Sequence, residues 1–374
     1  MTEPNRDRGR TASQSSGRRT GKTAKQGAEK RPGRAAEPDC GCAAPDFRER
    51  TDRVGKYLLE LGSDFVFDQF NPDYLEREGL SGCMSGVPIP LRRQDVVEFH
   101  GQTGLPVSRL AENMAQIMGI NPQFPHVTAY IAYIRHYFNE KIVGVLTGEG
   151  AHELAEGKAQ MAAVHFRAAL VLSSSDRSAM YGYAAACREL YLAEEGGEDE
   201  AYVGCFKAEA TEYFELCTEC WPTFAEPWYY LGYVYLNMGL YRKAALAWRQ
   251  FLKYAESGEE KDEIRERMDQ LTEPIKIEEG CNHVAAGRFG EGIDVLLPYR
   301  DSDFADWWPL HYYLGVAFAR IGEKDEALGS FLRTLSLSPA NEPAMEEMIA
   351  IYQERGDLSM AEKYKKKLEL LRRG

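Results

Sequence analysis

Large apolar, small and polar positions follow one another from Trp228 to Trp248 in an order that returns 83 residues further on. The first stretch places Trp228, Leu231, Gly232, Tyr235, Gly239, Ala244 and Trp248; the second places His311, Leu314, Gly315, Phe318, Gly322, Ala327 and Phe331 at the same spacing. Apolar positions three and four apart on either side of a glycine predict two amphipathic helices joined by a short turn. Gly239 and Gly322 mark the ends of the first helices, where a left-handed residue costs least in glycine. Gly232 with Ala244, and Gly315 with Ala327, let the paired helices approach closely. Trp228, Tyr235, Trp248, Phe318 and Phe331 are then the rings that fill the space between hairpins. Pro339 stops the second helix of the later copy and opens the next hairpin.

A step of 34 residues carries the pattern outward. Backward from Ala244 and Trp248 it reaches Ala210 and Phe214, closed by Pro222. Forward from Gly315, Phe318, Gly322 and Ala327 it reaches Ile349, Tyr352, Gly356 and Ala361, with Lys365 where a ring is expected and Tyr364 beside it. An upstream copy reads Gly150, Glu153, Gly157, Ala162, Phe166, and a degenerate one Gly280, His283, Gly287, Gly292, Leu296. About six hairpins follow, enough to stack into a stable array. Two insertions break the phase. The acidic stretch near 194–204 lies inside a hairpin, and residues near 257–272 carry Ile264, Met268 and Leu271 as an apolar stripe on an otherwise charged extra helix.

Residues 47–140 have another texture. Val54–Leu61 predicts a helix, Asn71-Pro72-Asp73 starts another, Gly82–Pro90 predicts a loop, and Asp95–His100 a short helix. Ser108 is placed to cap a helix that Gly119 ends, and Tyr130, Ile131, Ile134, Tyr137 and Phe138 lie on one face of the next. This predicts a helical N-terminal module, preceded by a basic tail, residues 1–46, with too little apolar content to fold.

The hairpin pattern resembles the tetratricopeptide-repeat family over 141–374, most specifically at Trp228–Trp248 and His311–Pro339. More loosely, the whole chain resembles uncharacterised bacterial proteins with an N-terminal helical module and such repeats. The resemblance implies an all-α fold: a right-handed α-solenoid of antiparallel helix pairs. It also implies a peptide or partner helix bound in the concave groove lined by first helices. Carried over by position, the groove-facing candidates are Tyr181, Arg188, Tyr229, Tyr233, Asn237, Tyr312 and Arg320, of the kinds that dominate interface energetics. One branch of the family grips a chaperone's terminal carboxylate with Lys and Asn on successive first helices. Here those places hold Tyr229, Tyr233, Tyr312 and Val316, so that clamp is absent.

Charge and candidate chemistry narrow the function classes. The chain carries a net charge of −13, which disfavours general binding to nucleic acid or anionic membranes. Residues 1–38, with 10 Lys/Arg against 4 Asp/Glu, reverse that sign locally. Gly17–Thr23 hints at a phosphate loop but lacks its first glycine and a preceding strand. No apolar run is long enough to span a membrane, no secretory leader is recognisable, and eight irregularly spaced cysteines predict reduced thiols in a cytoplasmic protein. Cys217/Cys220 and Cys40/Cys42 have ligand spacing but nothing to fix them together; no metal or cofactor is expected. No nucleophile–base–orienter set is present, so a non-enzymatic scaffold or adaptor is the leading expectation. The alternative is a repeat-bearing transcriptional regulator that uses residues 47–140, with the helix around Val107, Leu110, Met114 and Ile117, and the basic tail. Arg109 is nearly the only base on that helix, which makes nucleic acid the less expected partner.

Overall fold

The computed structural model describes residues 44–101 and 104–373. The basic segment, with Gly17–Thr23, Cys40 and Cys42, lies outside the described residues. Two compact units divide at Arg265/Glu266.

The first unit opens with the N-terminal module. Asn71 caps Pro72–Arg77 by accepting a hydrogen bond from the Asp73 N–H. Short helical turns at Gly55–Leu58 and Val96–Phe99 stand where the pattern predicts them. Three expectations are corrected. Strands β1 (Phe65–Asp68) and β2 (Ile89–Arg92) form an antiparallel pair, and Ser81–Met84 is a helical turn, so 82–90 is not a plain loop. β2 is drawn inward because Ile89 and Leu91 are fully buried and the Asn113 side chain donates to the Pro90 carbonyl at 3.2 Å. The long helix α1 (Val107–Ile120) has no side-chain cap, so Ser108 does not serve as one. Gly119 does not end it either: a methyl group there would stand 2.0 Å from the Val164 carbonyl oxygen, so its role is close helix approach. Helix α2 (Val127–Phe138) buries Val127, Tyr130, Tyr133 and Ile134.

Hairpins follow in the same unit: α3 (Lys141–Ala155) with α4 (Ala159–Leu172), α5 (Arg177–Glu194) with α6 (Glu200–Cys220), and α7 (Ala225–Asn237) with α8 (Tyr241–Tyr254). The division between units falls within the charged helix α9 (Glu259–Gln270). The second unit holds α10 (Thr272–Ala285) with α11 (Phe289–Leu296), α12 (Trp308–Ile321) with α13 (Lys324–Leu337), and α14 (Glu342–Glu354) with α15 (Leu358–Arg373). These are tetratricopeptide-type helix pairs, and the repeat residues explain their closeness. Gly239 and Gly322 follow the first helices at φ 72° and 92°. In four pairs a first-helix glycine faces a large side chain sixteen residues on: Gly150 faces Phe166, Gly232 faces Trp248, Gly280 faces Leu296 and Gly315 faces Phe331. A methyl group on Gly232 would lie 2.0 Å from Trp248 Nε1, and one on Gly315 2.7 Å from a Phe331 ring carbon. In the last pair, which has Ile349 and Lys365 at these places, Tyr352 and Tyr364 stack instead, with ring centroids 6.0 Å apart.

A buried ion pair ties the module to the hairpins. Arg167 of α4 is 1% exposed and donates to both Asp52 carboxylate oxygens, at 3.0 and 2.6 Å, and to the Gly119 carbonyl at 2.6 Å. Tyr183 of α5 passes its hydroxyl hydrogen to Glu209 of α6 at 3.0 Å, and Arg53 pairs with the same carboxylate. Burial pushes the Asp52 carboxyl up, but hydrogen bonding and charge from Arg167 outweigh it and hold the group below its ordinary value.

Three substitutions test these contacts. Gly232→Ala lowers unfolding free energy by about 1–3 kcal/mol in urea titrations, through overpacking against Trp248. Gly329→Ala on α13, where a methyl group meets nothing, raises it by about 0.5–1 kcal/mol. For Asp52, a folded-state value below the unfolded one of about 3.9 means that the pair stabilises fully above that pH and is lost as pH falls through the folded value. Asp52→Asn is therefore expected to cost about 2–4 kcal/mol at pH 7, with the gap from the parent chain closing as pH falls through the lowered folded-state value.

Candidate protein-binding surface

Each first helix spends one face on its own hairpin and leaves another for solvent or a partner. On α7, Tyr229, Tyr233 and Asn237 are spaced by four and share a face. Leu231 and Gly232 point into the core, while Asn237 is exposed. The two tyrosines are half-buried and meet edge to face at 5.1 Å. Tyr229 also leans on Phe251 at 5.2 Å and Tyr233 on Trp248 at 5.1 Å. Their rings are thus part packing, while both hydroxyls donate to Glu263 of α9, at 3.4 Å from Tyr229 and 2.7 Å from Tyr233. Burial first, then the Glu263 charge and hydrogen bond, push the Tyr229 phenol up against the lowering effect of its bond with Tyr233.

On α5, Tyr181 packs edge-on to Phe224 at 5.2 Å and tilts on Phe214 and Tyr230. Burial raises its phenol well above the ordinary value. Arg188 lies over the Tyr230 ring at 4.8 Å and donates to Glu189 at 2.6 Å. The structure therefore brings Tyr181 and Arg188 to Tyr230, and Tyr230 to Tyr229 at 5.2 Å, giving one aromatic surface across α5 and α7. Tyr230 and Glu263 were absent from the candidates read in the sequence. Glu263 carries no repeat signal, because it lies on the inserted helix that breaks the 34-residue phase.

The remaining two candidates belong to the second unit. Tyr312 is half-buried between Trp308, Tyr313 and Phe331. Arg320 is exposed and makes a two-pronged pair with Glu347 of α14, at 2.9 and 2.7 Å.

The chemistry on offer is recognition: phenolic donors, a guanidinium held flat on a ring, and apolar ring edges. Cys217 and Cys220 are both buried, and burial pushes the Cys217 thiol far up. Among the described residues no group of three His, Cys, Asp or Glu side chains could hold a metal ion, and no helix is long and apolar enough to cross a membrane.

The solved structures to which the chain is similar include a crystal structure of MamA, at 19% identity and TM-score 0.28, covering 47% of this chain and 94% of that one. PilF of Pseudomonas aeruginosa matches at 14% identity and TM-score 0.30, covering 63% and 94%. A tetratricopeptide repeat protein from Parabacteroides merdae matches at 14% and 0.29, covering 86% and 94%. No family model matches the sequence, and no curated protein does.

Substitutions separate packing from display. Tyr233→Ala is expected to cost about 2–4 kcal/mol in chemical denaturation, because it empties the space beside Trp248. Arg320→Ala changes stability by less than about 0.5 kcal/mol, since its ion pair is exposed.

Proposed function

We propose that the protein is a non-enzymatic adaptor that binds a partner protein segment on the exposed faces of its first helices. One observation carries this reading. The aromatic surface from Tyr181 and Arg188 through Tyr230 to Tyr229 and Tyr233 is built of rings held by mutual packing, with the Arg188 guanidinium over Tyr230 and the Tyr229 and Tyr233 hydroxyls both turned to one carboxylate. Rings already fixed by packing lose little entropy when a partner covers them, and they are the side chains that concentrate interface energy. Tyr312 and Arg320 give the second unit a smaller surface of the same kind. We place the protein in the cytoplasm, in keeping with its cysteine usage.

The regulator reading finds less support. Ten of the fourteen residues of α1 are buried, and Arg109 is engaged by Glu112 and Asp95, so this helix presents no basic face to a groove of DNA.

The test is affinity capture with the full chain as bait, beside a variant carrying Arg188→Ala and Asn237→Arg, two changes outside the core. Partners that bind through this face fall by about tenfold or more with the variant. Retention of every partner at parental levels contradicts the proposal.

A further inference from the structure

We propose that α9 is an internal stand-in for the partner, and that the partner is a segment bearing carboxylates which displaces it from Tyr229 and Tyr233. The inference rests on the adaptor reading and adds to it the chemistry of the ligand and a built-in competitor.

Three features of α9 point this way. Its twelve residues are nearly all charged, with six acidic side chains (Glu259, Glu260, Asp262, Glu263, Glu266, Asp269) against Lys261, Arg265 and Arg267. Only Ile264 among them is buried. Ile264 and Leu271 give the helix a narrow buried apolar edge, and the rest of its docking falls to polar contacts. Those contacts are specific. Glu263 receives the hydroxyls of both Tyr229 and Tyr233, and the Lys261 ammonium donates to the Ala255 carbonyl at 2.8 Å. The chain thus lays an acidic helix on the face that the adaptor reading assigns to a partner.

The occupied site also shows which group it accepts. Two phenol hydroxyls converge on one carboxylate, and ring contact continues from Tyr229 to Tyr230, over which the Arg188 guanidinium lies. Hydrogen bonds from neutral donors to an ionised acceptor are stronger than neutral ones, so the pair of tyrosines favours a carboxylate over an amide. A partner segment with one carboxylate at the tyrosine pair and a second toward Arg188 gains a contact that α9 lacks, because Arg188 makes its own ion pair with Glu189 on α5. Such a ligand competes with an intramolecular one, so its apparent affinity is scaled by the fraction of chains in which α9 has lifted.

The experiment uses the full chain in four forms: parental, Glu263→Ala, Tyr229→Phe with Tyr233→Phe, and all three changes together. Hydrogen–deuterium exchange of residues 259–265 is expected to rise by about tenfold in both partial variants and no further in the combined one, while 225–254 stays protected. The probe for binding is a labelled synthetic peptide of residues 257–272, beside the same peptide with every Glu and Asp replaced by Gln and Asn. Glu263→Ala is expected to bind the acidic peptide at least about tenfold more tightly than the parental chain, to bind the neutral peptide no better, and to lose the gain when the Phe changes are added. Unchanged exchange, additive effects of the two sets of changes, or equal binding of both peptides overturns the stand-in. An adaptor that still loses its captured partners on Arg188→Ala with Asn237→Arg survives that outcome, so the two proposals fail separately.

Discussion

The hairpins rest on a missing carbon atom. Where Gly232 faces Trp248 and Gly315 faces Phe331, the absence of a Cβ lets a ring from the second helix lie against the backbone of the first. Both rings end fully buried. Trp248 gains a further fixed contact, because its Nε1 donates to the Tyr229 carbonyl at 3.1 Å. With one face of the first helix occupied in this way, helical periodicity places Tyr229, Tyr233 and Asn237 along its margin, where the two rings lean on Phe251 and Trp248 and Asn237 is exposed. The surface proposed for binding is therefore a geometric consequence of the core.

The first unit adds a constraint of a different kind. Arg167 is a charge taken out of water and must be compensated by Asp52, the Gly119 carbonyl and the Tyr183 hydroxyl, at 3.3 Å. Its partners come from the N-terminal segment, from α1 and from α5, so the guanidinium can be satisfied only when these pieces are in register. The close approach of α1 to α4 at Gly119 and Val164 belongs to the same arrangement. A buried pair of this type contributes little net energy but penalises misplacement heavily, which suits a junction between an irregular module and a repeat array.

The repeat part of the fold was legible because its determinants are local. Glycines at turns, rings at fixed offsets and prolines after helices each report a backbone geometry through neighbours close in sequence, so even the degenerate copy around Gly280 and the extra helix at 259–270 could be found. The module was less legible. The strands are four residues long, one contains Pro90, and they pair across more than twenty residues, so no period of two could emerge from either. Gly119 stood at a helix end in the pattern, and only the tertiary contact with Val164 shows that it serves packing. At the binding surface the face of α7 was readable from spacing. The link to Glu263 depended on where an inserted helix docks, and Tyr230 on a contact between two hairpins.

The central claim is that partners are held by first-helix faces. It is tested most directly by hydrogen–deuterium exchange on the full chain with and without a purified captured partner. The account predicts new protection confined to α5, α7 and α12, around Tyr181 to Arg188, Tyr229 to Asn237 and Tyr312 to Arg320, with faster exchange in 259–265 as α9 is displaced. Protection centred on the second helices α6, α8 and α13, with the first helices unchanged, would contradict it.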